Sequence, residues 1–346
     1  MRRAPFLLLC LLCLPRLGTP ALGAAPALKI YFIDVEGGQS TLLVDPQGES
    51  LLIDTGWPDS NNRDPDRILA VMQAANIDRL DYLVLTHYHS DHAGGVRQLA
   101  SRIKIGTFAD HGPNKERGRE TSANYATYLN VVGQSPRLIL KPGDRLPFKG
   151  MGVTVLTAAG AEVTEPLPGA GQPNPLCPSL PSAPADLSEN SQSVGVLISY
   201  GRFRFIDLGD LTTRGELGLA CPRNQVGIVD LYLTTHHGTA HPGTGDSSNA
   251  REIVNALHPR VAVMNNGAIK GGHPVAWQIV HDSPGLEDLW QLHYAVMSDQ
   301  DHNVNEKFIA NMDQNDDGHY IEVLAQPDAT FTVINSRNNF QKTYRP

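Results

Sequence analysis

The chain has 346 residues, 41% of them hydrophobic, with 28 basic and 36 acidic side chains and a formal net charge of −8. That is enough apolar material for one large domain or two small ones. The acidic balance disfavours nucleic acid as a partner, since it repels a polyanion at long range and no Lys/Arg-rich run offsets it. The four cysteines divide into Cys10 and Cys13 near the start and Cys177 and Cys221 further on.

The first 23 residues read as a secretory signal. Arg2 and Arg3 form a charged start, residues 6–14 an apolar run, and Ala21-Leu22-Gly23 a small-residue cleavage site. The run is too short to span a bilayer, and no other stretch is apolar enough to cross one. Loss of the signal removes Arg2, Arg3 and Arg16 and takes the charge from −8 to −11. It also removes Cys10 and Cys13. In an oxidising compartment the remaining pair, Cys177 and Cys221, most simply forms one disulfide. The expected location is secreted or periplasmic, without stable membrane insertion.

Residues 28–346 then form the expected folded unit. Residues 28–35, 40–44 and 51–53 read as strands, with Pro46-Gln47-Gly48 as a hairpin signal. Residues 64–75 suit a helix with Asp64 as cap and Pro65 in the first helical position. Residues 80–85 are a buried strand, followed by the densest polar cluster in the chain, Thr86-His87-Tyr88-His89-Ser90-Asp91-His92-Ala93-Gly94-Gly95. Strand and helix continue to alternate through 103–105, 122–132 and 151–156. Between 161 and 187 seven prolines exclude both regular structures. This excursion is a long surface loop, held by the Cys177–Cys221 link, that either walls a cleft or merely tethers. Strands resume at 193–200, 202–208 and 230–235, then a helix at 247–257, a strand at 261–264, and a hairpin pair at 320–324 and 330–334. Trp290, Gln291 and His293 fit an amphipathic strand or a cleft mouth. Asp313-Gln314-Asn315-Asp316-Asp317-Gly318 mimics the start of a calcium loop, but lacks its closing glutamate and reads as a β-turn.

Imidazole and carboxylate are the usual ligands of zinc and similar divalent ions. His87 and His89, two apart, can point the same way off extended backbone. Asp91 and His92 follow where the chain bends, and can face a second ion. The Thr-His-x-His-x-Asp-His-x-Gly-Gly stretch after a strand resembles the signature of the metallo-β-lactamase fold superfamily. That resemblance implies an α/β fold, a four-layer αβ/βα sandwich, with a one- or two-metal hydrolytic site at one edge. It implies a bridging Asp210, after an apolar strand and Gly209, with Asp207 as the competitor. It brings in His236 and His237, of which either suits the second metal. Asp54 is expected to hold a ligand loop or imidazole in place.

A third first-site histidine, usual in binuclear members, is missing. His111 lies in the wrong context, and Glu189-Asn190-Ser191-Gln192-Ser193-Val194-Gly195-Val196-Leu197 stands at the matching place. This departure resembles the hydrolase domain of ComEC-type DNA-uptake proteins. So do Phe32-Ile33-Asp34-Val35-Glu36-Gly37-Gly38-Gln39, His236-His237-Gly238-Thr239 and Gly272-His273-Pro274. His273 is expected to complete coordination or contact substrate, and Asn190, Asn265, Asn266 and Lys270 to bind an oxyanion or phosphate.

The function these features imply is metal-dependent hydrolysis. Two cations, zinc or else manganese, lower the pKa of a shared water, and the hydroxide attacks a phosphodiester, phosphate ester or carboxylic ester, with Asp91 orienting it. The substrate would be a small molecule or a phosphodiester. The alternative is a non-catalytic metal-binding or sensor protein that has lost a first-site ligand.

Overall fold

The structure is a computed structural model that describes residues 26–58, 61–178, 186–240, 247–314 and 318–346. The expected signal, residues 1–23, lies outside the described residues, as does part of the calcium-loop mimic. No helix among the described residues is long and apolar enough to cross a membrane.

Two mixed sheets lie face to face. The first runs, edge to edge, through Gln341–Tyr344, Phe331–Asn335, Ile321–Ala325, Leu28–Phe32, Thr41–Val44, Ser50–Ile53, Arg79–Val84, Lys104–Asp110 and Arg137–Ile139. Its pairings are antiparallel up to Ser50–Ile53 and parallel beyond it. The second runs through Ile309–Asn311, Asp288–His293, Val261–Met264, Leu231–Leu233, Phe203–Asp207, Gly195–Tyr200, Gly152–Ala158 and Arg145–Leu146. Its first five strands are parallel.

The period-two alternation of the strands explains the layering. In the first sheet Ile30, Phe32, Leu43, Ile53 and Val84 point inward to a core shared with Phe205, Leu231, Leu233, Val263 and Trp290 of the second. Their neighbours Tyr31, Leu42, Leu52 and Leu83 point outward, under Ile68, Val71 and Met72 of helix Arg63–Ala74 and Tyr128 of helix Arg119–Val132. On the other side Ile206, Tyr232, Ala262 and Met264 face Leu219, Ile253, Val254 and Val280, from helices Thr213–Ala220, Arg251–Leu257 and Pro274–His281. Three apolar seams therefore separate four layers, and the fold is the αβ/βα sandwich.

Three local expectations change. The first long helix is preceded by Asn62, and Asp64 sits inside its first turn. The Asp64 carboxylate is buried, accepts the Trp57 N–H at 2.7 Å and pairs with Arg63, so it braces the preceding turn instead of capping. Trp290 belongs to a strand that is buried on both faces, not an amphipathic one, and its indole N–H donates to Tyr344 Oη at 3.0 Å. In the proline-rich excursion, Ala161–Glu162 forms a short strand against Gly152–Ala158. Cys177 and Cys221 are disulfide-bonded. Just before Cys177, residues 172–176 pack beside Asn224, Asn255 and Pro284.

Candidate metal centre

Strands of both sheets end at one edge, and the chemistry-bearing residues follow those ends. Asp54 follows Ser50–Ile53, His87 follows Arg79–Val84, Asp210 follows Phe203–Asp207, and His236 and His237 follow Leu231–Leu233. The C-terminal ends of parallel strands are where such sheets place ligand sites.

Asp91, His92, Asp210 and His237 are buried, and one donor atom from each lies within 4.8 Å of the others. His92 Nε2 stands 3.2 Å from both His237 Nε2 and Asp210 Oδ2. Asp91 Oδ2 lies 3.2 Å from His237 Nε2, and Asp210 Oδ1 3.3 Å from the same nitrogen. On the other side of Asp210, Oδ2 is 3.3 Å from His236 Nε2 and 3.9 Å from His87 Nε2. His87 Nε2 in turn faces His89 Nδ1 at 3.0 Å. Asp210 thus lies between two groups of imidazoles, while Asp207 turns away to accept from Gln39 Nε2 and the Gly209 N–H.

The outer partners set which ring nitrogens carry protons. Asp54 Oδ2 takes His92 Nδ1 at 2.7 Å and the Thr86 hydroxyl at 2.6 Å. With its own hydrogen given to Asp54, the Thr86 oxygen accepts from His87 Nδ1 at 3.0 Å. Glu116 Oε2 meets His89 Nε2 at 3.2 Å. Each contact places a proton on the outer nitrogen and leaves a lone pair on the inner one. His87 Nε2 and His92 Nε2 therefore face the Asp210 and Asp91 carboxylates, and His89 Nδ1 lies beside His87 Nε2. That set attracts positive charge, and its nitrogen and oxygen donors fit divalent cations of the zinc or manganese type.

The carboxylates draw positive charge to this cluster, which either a cation or a second proton on His92 supplies. Burial disfavours charge on His92, yet Asp210, Asp91 and Asp54 hold its pKa well above the ordinary value. Burial, reinforced by His92 and His89, drives His87 well below it. For Asp91 burial acts upward, but His92 and Lys270 outweigh it and hold the carboxyl well below the usual range. His236, His237 and His92 do the same against burial for Asp210.

Local backbone supports this geometry. The turn Thr235–Gly238 places both His236 and His237 at positive φ, 54° and 56°. Two successive left-handed non-glycine residues are uncommon and unfavourable. Here they bring both Nε2 atoms to one carboxylate. Behind the turn, Asn249 Nδ2 donates to the Thr235 and Thr239 carbonyls, and Glu216 accepts the N–H groups of Asn249 and Ala250. Gly271 is required as well, because a Cβ there would lie 2.3 Å from the His237 carbonyl oxygen.

The remaining expected residues spread around this cluster. Lys270 Nζ pairs with Asp91 Oδ2 and stands 5.2 Å from the centre of the Trp57 ring. His273 is not among the clustered donors. Its Nδ1 accepts the Val275 N–H at 3.3 Å at the start of helix Pro274–His281, and the residue lines a cleft together with His236 and Lys270. Asn265 Nδ2 reaches Gln39 Oε1 at 3.5 Å. Asn266 donates to the Gly267 and His293 carbonyls and so ties strand ends together. Asn190 is buried in the short turn Asn190–Gln192. Its neighbour Glu189 accepts from His111 Nε2 and from the N–H groups of Tyr88 and Lys115, which fixes the chain between His87 and His89.

Several supports carry no sequence signal. Glu116 sits in a charged stretch that reads as surface, and the roles of Gln39, Glu216 and Asn249 depend on partners far along the chain. Thr86 and Gln39 lay inside recognisable motifs, but nothing local showed which partners they would meet.

Residues 34–172 match the metallo-β-lactamase superfamily. The chain is similar to ComE operon protein 3 of Bacillus subtilis (strain 168), 24% identical over 259 residues, covering 69% of this chain and 28% of that protein. It is also similar to competence protein ComA of Neisseria gonorrhoeae, 22% identical over 233 residues, covering 67% and 26%. The chain thus spans little more than a quarter of the length of these two relatives. Among solved structures, Zn(2+)-bound PqqB from Methylobacterium extorquens aligns with a TM-score of 0.41 and 15% identity, covering 74% of this chain and 92% of that one.

Proposed function

Because the chain carries a metallo-β-lactamase superfamily domain, we propose that it is a secreted or periplasmic metal-dependent hydrolase that cleaves a phosphodiester, phosphate ester or carboxylic ester bond. The observation that carries this reading is the convergence of His87, His92, His236 and His237 on the Asp210 carboxylate, with His89 beside His87 and the rings of His87, His89 and His92 each set by an outer hydrogen bond. Asp91, His92 and His237 would hold one cation and His87, His89 and His236 another, with Asp210 shared. In this assignment His236 takes the part of the missing third histidine. Bound cations would supply Lewis acidity, lowering the pKa of water and neutralising charge on the transition state.

The chain's own groups do the rest. Asp91 accepts a hydrogen bond from the attacking water and orients it. Lys270, already beside Asp91, offsets negative charge that develops on the substrate. His273 keeps its proton on Nε2, because Nδ1 accepts the Val275 N–H, and that proton is available to a leaving group. The disulfide supports an oxidising compartment.

The test is a panel of phosphoesters, carboxylic esters and lactones, including bis-p-nitrophenyl phosphate, on protein reconstituted with zinc or manganese. His87→Ala and Asp210→Ala should each lower turnover at least about 100-fold and reduce bound metal. Full activity in both variants would overturn the assignment. Bound metal without turnover of any substrate would favour the binding or sensor reading.

A further inference from the structure

The wall of the cleft beside His236 has a composition that the hydrolytic chemistry does not require. This cleft encloses about 440 Å³ and is lined by His236, Lys270, His273, Ile269 and Met297 among others. Such a volume is ordinary for a small-molecule site. Its rim is apolar and open to solvent. Ile269 is 63% exposed and Met297 71%; Val296, next to Met297, and Val275, next to the cleft-lining Pro274, are also exposed. Four of the nine large exposed hydrophobic residues among those described thus belong to this rim or adjoin it in sequence. Single exposed apolar residues need no explanation, but a group continuous with a site marks a binding surface.

The rim is also tied to the histidines. The Val296 N–H donates to the Ala268 carbonyl at 2.9 Å, and Ser298 Oγ to the Gly272 carbonyl at 2.5 Å. Gly272 and His273 then donate their N–H groups to the carbonyls of His237 and Gly238. An apolar group lying against Ile269 and Met297 would therefore be held at a set position relative to His236. A second cleft shares Ile269 and Lys270 with this one and is lined further by Glu36, Arg63 and Arg67. Its arginines are paired with Asp64 and Asp34, so it offers no comparable surplus of charge for an anionic arm.

From this arrangement we infer that the substrate is an ester or phosphoester with an apolar arm, a medium-length alkyl or aryl group seated between residues 268–272 and 294–298. The inference rests on the hydrolytic reading above, and it names the substrate class of that same site. Ile269 and Met297 set specificity, while the scissile group lies toward His236 and Lys270.

The experiment measures binding apart from turnover. Methyl-, butyl- and octylphosphonate are titrated calorimetrically into the metal-loaded full chain. Affinity should rise about two- to fourfold per added methylene until the cleft is filled. In Ile269→Asn and Met297→Gln the octyl-to-methyl affinity ratio should fall at least about tenfold. Ile228→Asn, an exposed apolar site elsewhere, should keep the wild-type ratio. Equal affinity for all three phosphonates in the wild type, or the same ratio in all variants, would overturn the inference. Because no bond is broken, failure here is distinct from failure of the activity panel.

Discussion

Asp54 contacts no substrate in any scheme above, yet it controls the cluster from behind. Its two oxygens take the Thr86 N–H, the Thr86 hydroxyl and His92 Nδ1, at 2.7, 2.6 and 2.7 Å. One carboxylate therefore sets the tautomers of both His87 and His92. Asp54→Ala should weaken metal binding about 10- to 100-fold, as loss of such outer partners does. Competition against a chromophoric chelator measures this, and unchanged affinity would remove the role. Glu116 acts similarly on His89 through a single contact. Glu116→Gln keeps the shape but can present a donor to the ring, so it should weaken binding less than Asp54→Ala in the same titration. Asp54 stood out in the sequence because it ends a strand before Thr55-Gly56. Glu116 did not, since nothing in its neighbourhood reveals that the chain folds back onto His89.

The turn Thr235–Gly238 shows how an element depends on distant support. Two left-handed histidines cost about 1–2 kcal/mol each in isolation. The turn is held by Asn249 and, behind it, by the fully buried Glu216. Burial pushes the Glu216 carboxyl up to about 7. A folded-state pKa above the unfolded one means that the native protein binds the extra proton. The associated stability is fully present below about pH 4.5 and is lost as pH rises through about 7. The loss over that window is on the order of 3 kcal/mol. Urea unfolding between pH 5 and 8 should therefore show wild-type stability declining relative to Glu216→Gln, which carries no ionisable group there. Parallel curves for the two proteins would refute the assignment. The histidine pair itself was legible in the sequence, but its backbone conformation and its brace were not. Positive φ at two histidines has no local sequence cue, and Glu216 reaches the turn only through tertiary packing.

For the molecule as a whole, the disulfide closes a separation of 44 residues between Cys177 and Cys221. Chain-entropy reasoning assigns about 4 kcal/mol to such a closure. Cys177→Ser with Cys221→Ser should lower the midpoint of thermal unfolding by several degrees while leaving metal stoichiometry at the wild-type value, because neither cysteine is among the clustered donors. A melt together with metal analysis by mass spectrometry checks both parts. At this scale the apolar runs in residues 28–35, 51–53 and 230–235 already read as strands, and with intervening helices they fit a layered α/β fold. Local chemistry was enough for this, since side-chain direction along a strand is set by the backbone itself. The His87–His92 motif likewise determined the kind of chemistry, because its ligands are neighbours in the chain. Tertiary structure decided what depends on residues meeting from separate strands and loops. It set Asp210 between two groups of imidazoles, turned Asp207 toward Gln39, put His273 on a cleft wall and Trp290 in the core, and placed an apolar rim beside His236. Those outcomes follow from how two sheets pack and where their strands end together, and no local pattern encodes that geometry.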